Sequence, residues 1–165
     1  MTEGSHEHWM SQALSLADEA AAKDEVPIGA VLVVNDELIS QGYNLRESSG
    51  KTTDHAEIIA LEKYNAHSGQ WRLPPGTCLY VTVEPCVMCS AALISARIDQ
   101  IYYGCPDTKL AALGLIQPHI EVGVFDHTPS VIQGGVLGES CAERLSSFFK
   151  AKRARKAVMY PSCTH

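Results

Sequence analysis

Hydrophobic residues recur at helical spacing through residues 8–23, where Trp9, Met10, Ala13, Leu14, Leu16 and Ala17 share one face, and the pattern predicts an amphipathic first helix. Asp24-Glu25-Val26-Pro27 ends it. Residues 28–34 are apolar and β-branched, Asn35-Asp36 is a turn signal, and residues 37–42 alternate, so a hairpin of two strands follows. Residues 43–53 form a polar loop containing Ser48-Ser49-Gly50, and a helix runs from about residue 55 to 65. After a loop with Pro74-Pro75, residues 77–83 are a strong central strand, a helix carries Cys86 and Cys89 to about Ala96, and residues 100–104 are the next strand. Residues 109–116 read as a weak helix. Residues 131–137, interrupted by Gly134-Gly135, read as a poor strand or a loop, and 139–156 as a long final helix whose apolar face is Cys141, Leu145, Phe148 and Phe149. Strand-helix-strand-helix order in the second half implies parallel pairing through right-handed crossovers, hence an α/β fold with helices on both faces of a mixed sheet.

At 165 residues and 45% hydrophobic content the chain is sized for one domain spanning 1–165, with loose ends expected at about 1–6 and 158–165. Residues 1–8 lack the apolar stretch of a leader, and no apolar run approaches the ~20 residues that span a bilayer; a cytoplasmic protein without a membrane partner is expected. Cys78, Cys105, Cys141 and Cys163 show no framework spacing and are expected to stay reduced. A net charge of -6 speaks against a nucleic-acid partner. Its distribution speaks for one, because Lys150, Lys152, Arg153, Arg155 and Lys156 cluster at the end of the last helix, and a basic patch says more about where a polyanion docks than the total does. A helix end whose charge suits its dipole has the same pattern.

The chemistry concentrates in His55-Ala56-Glu57 and Pro85-Cys86-Val87-Met88-Cys89. One imidazole and two thiolates suit Zn²⁺, and three protein ligands leave the fourth tetrahedral position open, the arrangement of a catalytic site. Cys86 and Cys89 are three apart, so they share a helix face, with Pro85 fitting the first turn; at a helix N-terminus, unpaired N–H groups and the macrodipole favour thiolates. Asp54 or Thr53 can cap a second helix that begins near His55. Glu57, two positions from the histidine, is placed to take a proton from water at the metal and pass it on.

His-Ala-Glu followed by Pro-Cys-x-x-Cys resembles the signature of the zinc-dependent cytidine/deoxycytidylate deaminase superfamily. Within it, the chain is most similar to the bacterial tRNA-specific adenosine deaminases, through Glu25 to Val31, Gly42-Tyr43-Asn44, His55 to Ile58, Leu79 to Cys89, and Phe148-Phe149-Lys150 with its basic continuation. The resemblance implies a three-layer α/β/α cytidine-deaminase-like fold with a mixed five-stranded central sheet. It implies one zinc per chain held by His55, Cys86 and Cys89, with Glu57 catalytic. It places Asn44 where the family hydrogen-bonds a flipped base, Val26-Pro27-Ile28 where it walls the base pocket, and Asp107 and Lys109 in the loop bordering the substrate strand. It implies a homodimer acting on the anticodon stem-loop of tRNA, and the charge cluster then makes Lys150, Lys152, Arg153 and Arg155 the expected contacts to the RNA.

The chain departs from the family at Leu110-Ala111-Ala112-Leu113-Gly114 and at Asp126-His127-Thr128-Pro129, segments that touch substrate in the family. Read from residues alone, Asn44 also suits a turn, Asp107 a turn or cap, and His127 a satisfied surface histidine. The expected reaction is zinc-dependent hydrolytic deamination of adenosine to inosine at the tRNA wobble position. The alternative is a deaminase of a free base or nucleoside, of guanine or cytosine type, with the same zinc mechanism; a zinc-stabilised binding module is a third reading, which Glu57 disfavours.

Overall fold

Five strands form one mixed sheet in the computed structural model, which describes residues 3–107, 118–120 and 122–159. In chain order the elements are α1 (Glu3–Ala22), β1 (Gly29–Val34), β2 (Glu37–Tyr43), α2 (Arg46–Ser49), α3 (Ala56–Ser68), β3 (Cys78–Val83), α4 (Val87–Ser95), β4 (Gln100–Cys105), β5 (Val131–Gln133) and α5 (Gly138–Met159). The strand order is β2-β1-β3-β4-β5. β1 runs antiparallel to both β2 and β3, while β3, β4 and β5 are parallel.

The hairpin turn is made by Asn35 and Asp36, with φ of 50° and 62°, values these two residue types tolerate and a two-residue hairpin of type I′ requires. Alternate side chains then divide between two cores. Val31, Val33, Cys78, Tyr80 and Tyr102 pack with Trp9, Met10, Ala13, Leu14 and Leu16 of α1, and with Cys141 of α5. Ala30, Leu32, Leu79, Val81 and Ile101 pack with Ala56, Ala60, Leu61 and Tyr64 of α3 and Leu93 of α4. Both faces of the sheet are therefore covered, which is why β1 and β3 read as continuous apolar runs rather than as alternating strands. Fully burying one such aliphatic side chain contributes ~1.5–3 kcal/mol.

β2 lies directly on α3. A Cβ at Gly42 would overlap the carbonyl of Ala56 and stand 2.8 Å from the amide nitrogen of Ala60, so only glycine permits this approach.

Several details differ from the expectation. The loop at 43–53 contains the helical turn α2, because the carboxylate of Glu25 accepts the amides of Glu47 at 3.2 Å and Ser48 at 2.6 Å. Neither Asp54 nor Thr53 caps α3; His55 is itself the N-cap residue and makes no side-chain capping bond. Pro85 stands just before α4 rather than in its first turn, and Cys86 is that helix's N-cap. The last strand is only Val131–Gln133 and stops before the two glycines. The helix expected at 109–116, together with Lys109, the 110–114 departure and Cys163, lies outside the described residues.

Candidate active site

Topology gathers the chemistry at one end of the sheet. Since β1 is antiparallel to β2 and β3, those two strands point the same way, and the helices that follow them, α3 and α4, begin side by side. The carboxyl end of β4, where Asp107 lies, and the entry to β1, where Val26-Pro27-Ile28 lies, share that end. A site outside the carboxyl ends of strands is the usual solution in α/β sheets.

Backbone bonds fix the approach to each ligand. Leu45 N–H donates to the Asp54 carbonyl at 3.0 Å, pinching the 45–54 loop shut just before His55. Glu84 N–H donates to the Cys105 carbonyl at 2.9 Å, continuing the β3–β4 ladder to within two residues of Cys86. His55 Nδ1 consequently lies 3.6 Å from Cys86 Sγ and 3.5 Å from Cys89 Sγ. The three ligand atoms all fall within 4.8 Å of one another. Tetrahedral zinc, with Zn–S of about 2.3 Å and Zn–N of about 2.0 Å, holds a nitrogen and a sulfur ligand roughly 3.5 Å apart, so the donor set fits that ion in type and in spacing.

Protons are unevenly held here. The Cys86 thiol is brought down to about 4, chiefly because Cys89 donates to its sulfur, with His55 adding a second bond against the penalty of burial. Cys89, the donor, is pushed up, and burial adds to that. His55 is raised by its bond to Cys86. Glu57 is only 4% exposed, and burial, the largest influence, raises its carboxyl above the ordinary range while the Cys89 thiol meets it. A carboxyl group held beside three metal-type ligands, with burial drawing it towards neutrality, is placed to accept a proton and return it.

The zinc-binding region of cytidine and deoxycytidylate deaminases matches residues 3–105, which include all four of these side chains. The chain belongs to that family. The tRNA-specific adenosine deaminase of Bacillus subtilis is 39% identical over 150 residues, covering 91% of this chain and 92% of the relative. The tRNA-specific adenosine deaminase of Haemophilus influenzae is 40% identical over 153 residues, covering 92% and 87%. A solved structure from work on A-to-I editing by tRNA:A34 deaminases at the wobble position of transfer RNA has a TM-score of 0.76 at 40% identity, covering 84% of this chain and 99% of that one.

In this deaminase-family chain the other expected residues fall as follows. Pro27 is buried, and Val26 and Ile28 are half-buried. Asn44 is buried; its N–H donates to the Ile28 carbonyl at 3.0 Å and its side-chain amide to Glu25 at 3.0 Å. Asp107 N–H donates to the Glu84 carboxylate at 3.1 Å. On α5, Lys150 and Arg153 are exposed. Arg155 pairs with Asp24 at 2.6 Å and Lys152 approaches the same carboxylate at 4.0 Å, so half of the four charges assigned to RNA already face an anion of the protein. That contact also sets the basic end of α5 beside the segment leading into Val26. The Asp126–Pro129 departure lies elsewhere: His127 Nε2–H donates to the Ile98 carbonyl at 2.6 Å, before β4 begins. Six residues of β4 at about 3.3 Å each separate it from the Asp107 end by roughly 20 Å.

Sequence patterning assigns no role to two buried acids. Glu25 is 0% exposed and Glu84 8%. The available signal was position, since Glu84 directly follows β3 and Glu25 opens the Val26-Pro27-Ile28 entry to β1, places where an acid is rarely buried without donors.

Proposed function

We propose that the protein is a zinc-dependent hydrolase that converts adenosine to inosine at the wobble position of tRNA. What supports this most is a buried Glu57 carboxyl beside a three-ligand His55/Cys86/Cys89 cluster, in a chain 39% identical to a tRNA-specific adenosine deaminase over 91% of its length. One zinc per chain, held by those three residues, would supply a Lewis acid that makes water a competent nucleophile near neutral pH.

The rest of the chemistry belongs to this chain's own groups. Val26, Pro27 and Ile28 wall the base pocket, and Asn44 and Asp107 orient the base, which leaves the anticodon stack for a few kcal/mol because a loop nucleotide is already unpaired. Glu57 removes a proton from the water whose oxygen bonds to C6. It gives that proton to the ring nitrogen, then takes the remaining proton from the oxygen now on C6 and gives it to the exocyclic amine, so that C6=O forms as the C6–N bond breaks and ammonia leaves. One carboxyl group serves as base and then acid, which its raised pKa suits. Lys150, Lys152, Arg153 and Arg155, with Lys109, hold phosphates of the anticodon stem-loop and supply affinity rather than chemistry. A homodimer of single-domain chains working in the cytoplasm completes the reading. No helix among the described residues is long and apolar enough to cross a membrane.

The deciding experiment offers purified protein an anticodon stem-loop with a wobble adenosine beside free guanine, cytosine and adenosine, and follows inosine and ammonia. Inosine in the stem-loop is expected. Ammonia from a free base alone would replace this reading with a free-base deaminase.

A further inference from the structure

We infer that Glu25 is a positioning residue for base recognition, its buried carboxylate fixing the side-chain amide of Asn44 in one orientation and thereby setting which hydrogen-bonding groups Asn44 offers the target base. This deepens the proposed function, which puts Asn44 at the base.

Glu25 is fully buried, yet both of its oxygens are used. Oε2 accepts from Asn44 Nδ2 at 3.0 Å and from the Glu47 amide at 3.2 Å. Oε1 accepts from the Ser48 amide at 2.6 Å and from the Ser48 hydroxyl. A carboxylate only accepts, so of the two ways the planar Asn44 amide can sit, the one turning Nδ2 towards Glu25 is permitted and its flip, setting oxygen against oxygen, is not. The backbone of Asn44 is pinned as well, through its bond to Ile28. One buried acid thus ties together the β1 entry that walls the proposed pocket, the residue proposed to read the base, and the turn α2 beyond it. Locking a recognition group by a buried partner is what keeps a site within the tolerance productive geometry needs.

Glutamine at position 25 keeps the shape but presents a donor and an acceptor, so both orientations of Asn44 become possible. The test is a cycle of Glu25→Gln, Asn44→Ala and the double variant, measuring kcat and KM on the wobble-adenosine stem-loop, with zinc content and thermal unfolding read on each protein. Hydrogen bonds to charged groups are worth about ten- to a hundredfold in an equilibrium, so Glu25→Gln should lose about that much kcat/KM while keeping its zinc. The double variant should be no worse than Asn44→Ala alone. Losses that multiply, or a fully active Glu25→Gln, overturn the inference. Ser48→Ala removes a tether of α2 and spares the Glu25–Asn44 bond; near-normal activity is expected, and a loss equal to that of Glu25→Gln would show that Glu25 serves α2 instead. If wild type turns over a free base and not the stem-loop, the proposed substrate fails, and the same cycle read with that base still decides the role of Glu25.

Discussion

Replacing Gly42 with alanine should loosen both the fold and the metal cluster. The added methyl would overlap the Ala56 carbonyl and stand 2.8 Å from Ala60 N and 3.0 Å from Ile59 Cγ2, whereas ordinary contact begins near 3.4 Å. Two of these three atoms are helix backbone, which no rotamer change can move. β2 and α3 must therefore part by roughly half an ångström or more, and overpacking of this kind typically costs about 1–3 kcal/mol. Gly42 has no positive φ, so alanine meets no backbone strain, and the stiffer unfolded chain returns about 0.4–1 kcal/mol. A net loss of ~1–2 kcal/mol lowers the melting temperature of a protein this size by about 2–8 °C. The atom struck belongs to Ala56, next to His55, so the histidine nitrogen moves away from the two sulfurs and zinc affinity falls as well. Thermal unfolding of the zinc-loaded protein and competition against a graded chelator measure the two effects. An unchanged or higher melting temperature with undiminished zinc retention would refute the reasoning.

Cys86→Ala and Cys89→Ala should each lose zinc in metal analysis, whereas Glu57→Ala should keep it and lose ~10² to 10⁴ in kcat or more, since one group serves several proton transfers. Lys150→Ala with Arg153→Ala should flatten the salt dependence of stem-loop affinity by roughly 0.7 per lost phosphate contact on single strand, with little change in kcat; an unchanged slope would make these charges a solvated helix end. Stability should fall in acid partly through Glu25: burial raises its carboxyl, but the Ser48 and Glu47 donors and the Lys152 charge outweigh that and hold it below 4.5. A depressed folded value means stability present above the ordinary range and lost as pH drops through the lower folded one, so Glu25→Gln should flatten that limb of the profile.

The clustering of His55, Cys86 and Cys89 was legible because their spacing is local chemistry: Cys86 and Cys89 share one turn, and His55 stands at the start of a patterned helix. The two central strands were legible because burial on both faces leaves unbroken apolar runs. Glu25 was not, since a buried acid is intelligible only through donors at Asn44, Glu47 and Ser48, about twenty residues away. The basic end of α5 looked free because the anion facing it, Asp24, lies 131 residues upstream of Arg155. β5 was ambiguous for a related reason: three residues carry no periodicity, and their parallel ladder to Gln100–Tyr102 alone makes them a strand.

The antiparallel seam between β1 and β3 also sets a timetable for the folding chain. A two-residue turn lets the β1–β2 hairpin close within ~1–10 μs, and the two cysteines come near each other as soon as one turn of α4 forms. His55 meets them only when β3 docks against β1, a closure spanning 53 residues between Gly29 and Thr82, and such non-local pairings form late. A newly made chain therefore displays a bare dithiol before it owns a complete cage. A soft ion met in that interval would be held by two sulfurs only, and could still be exchanged until β3 docks against β1 and brings His55 to it.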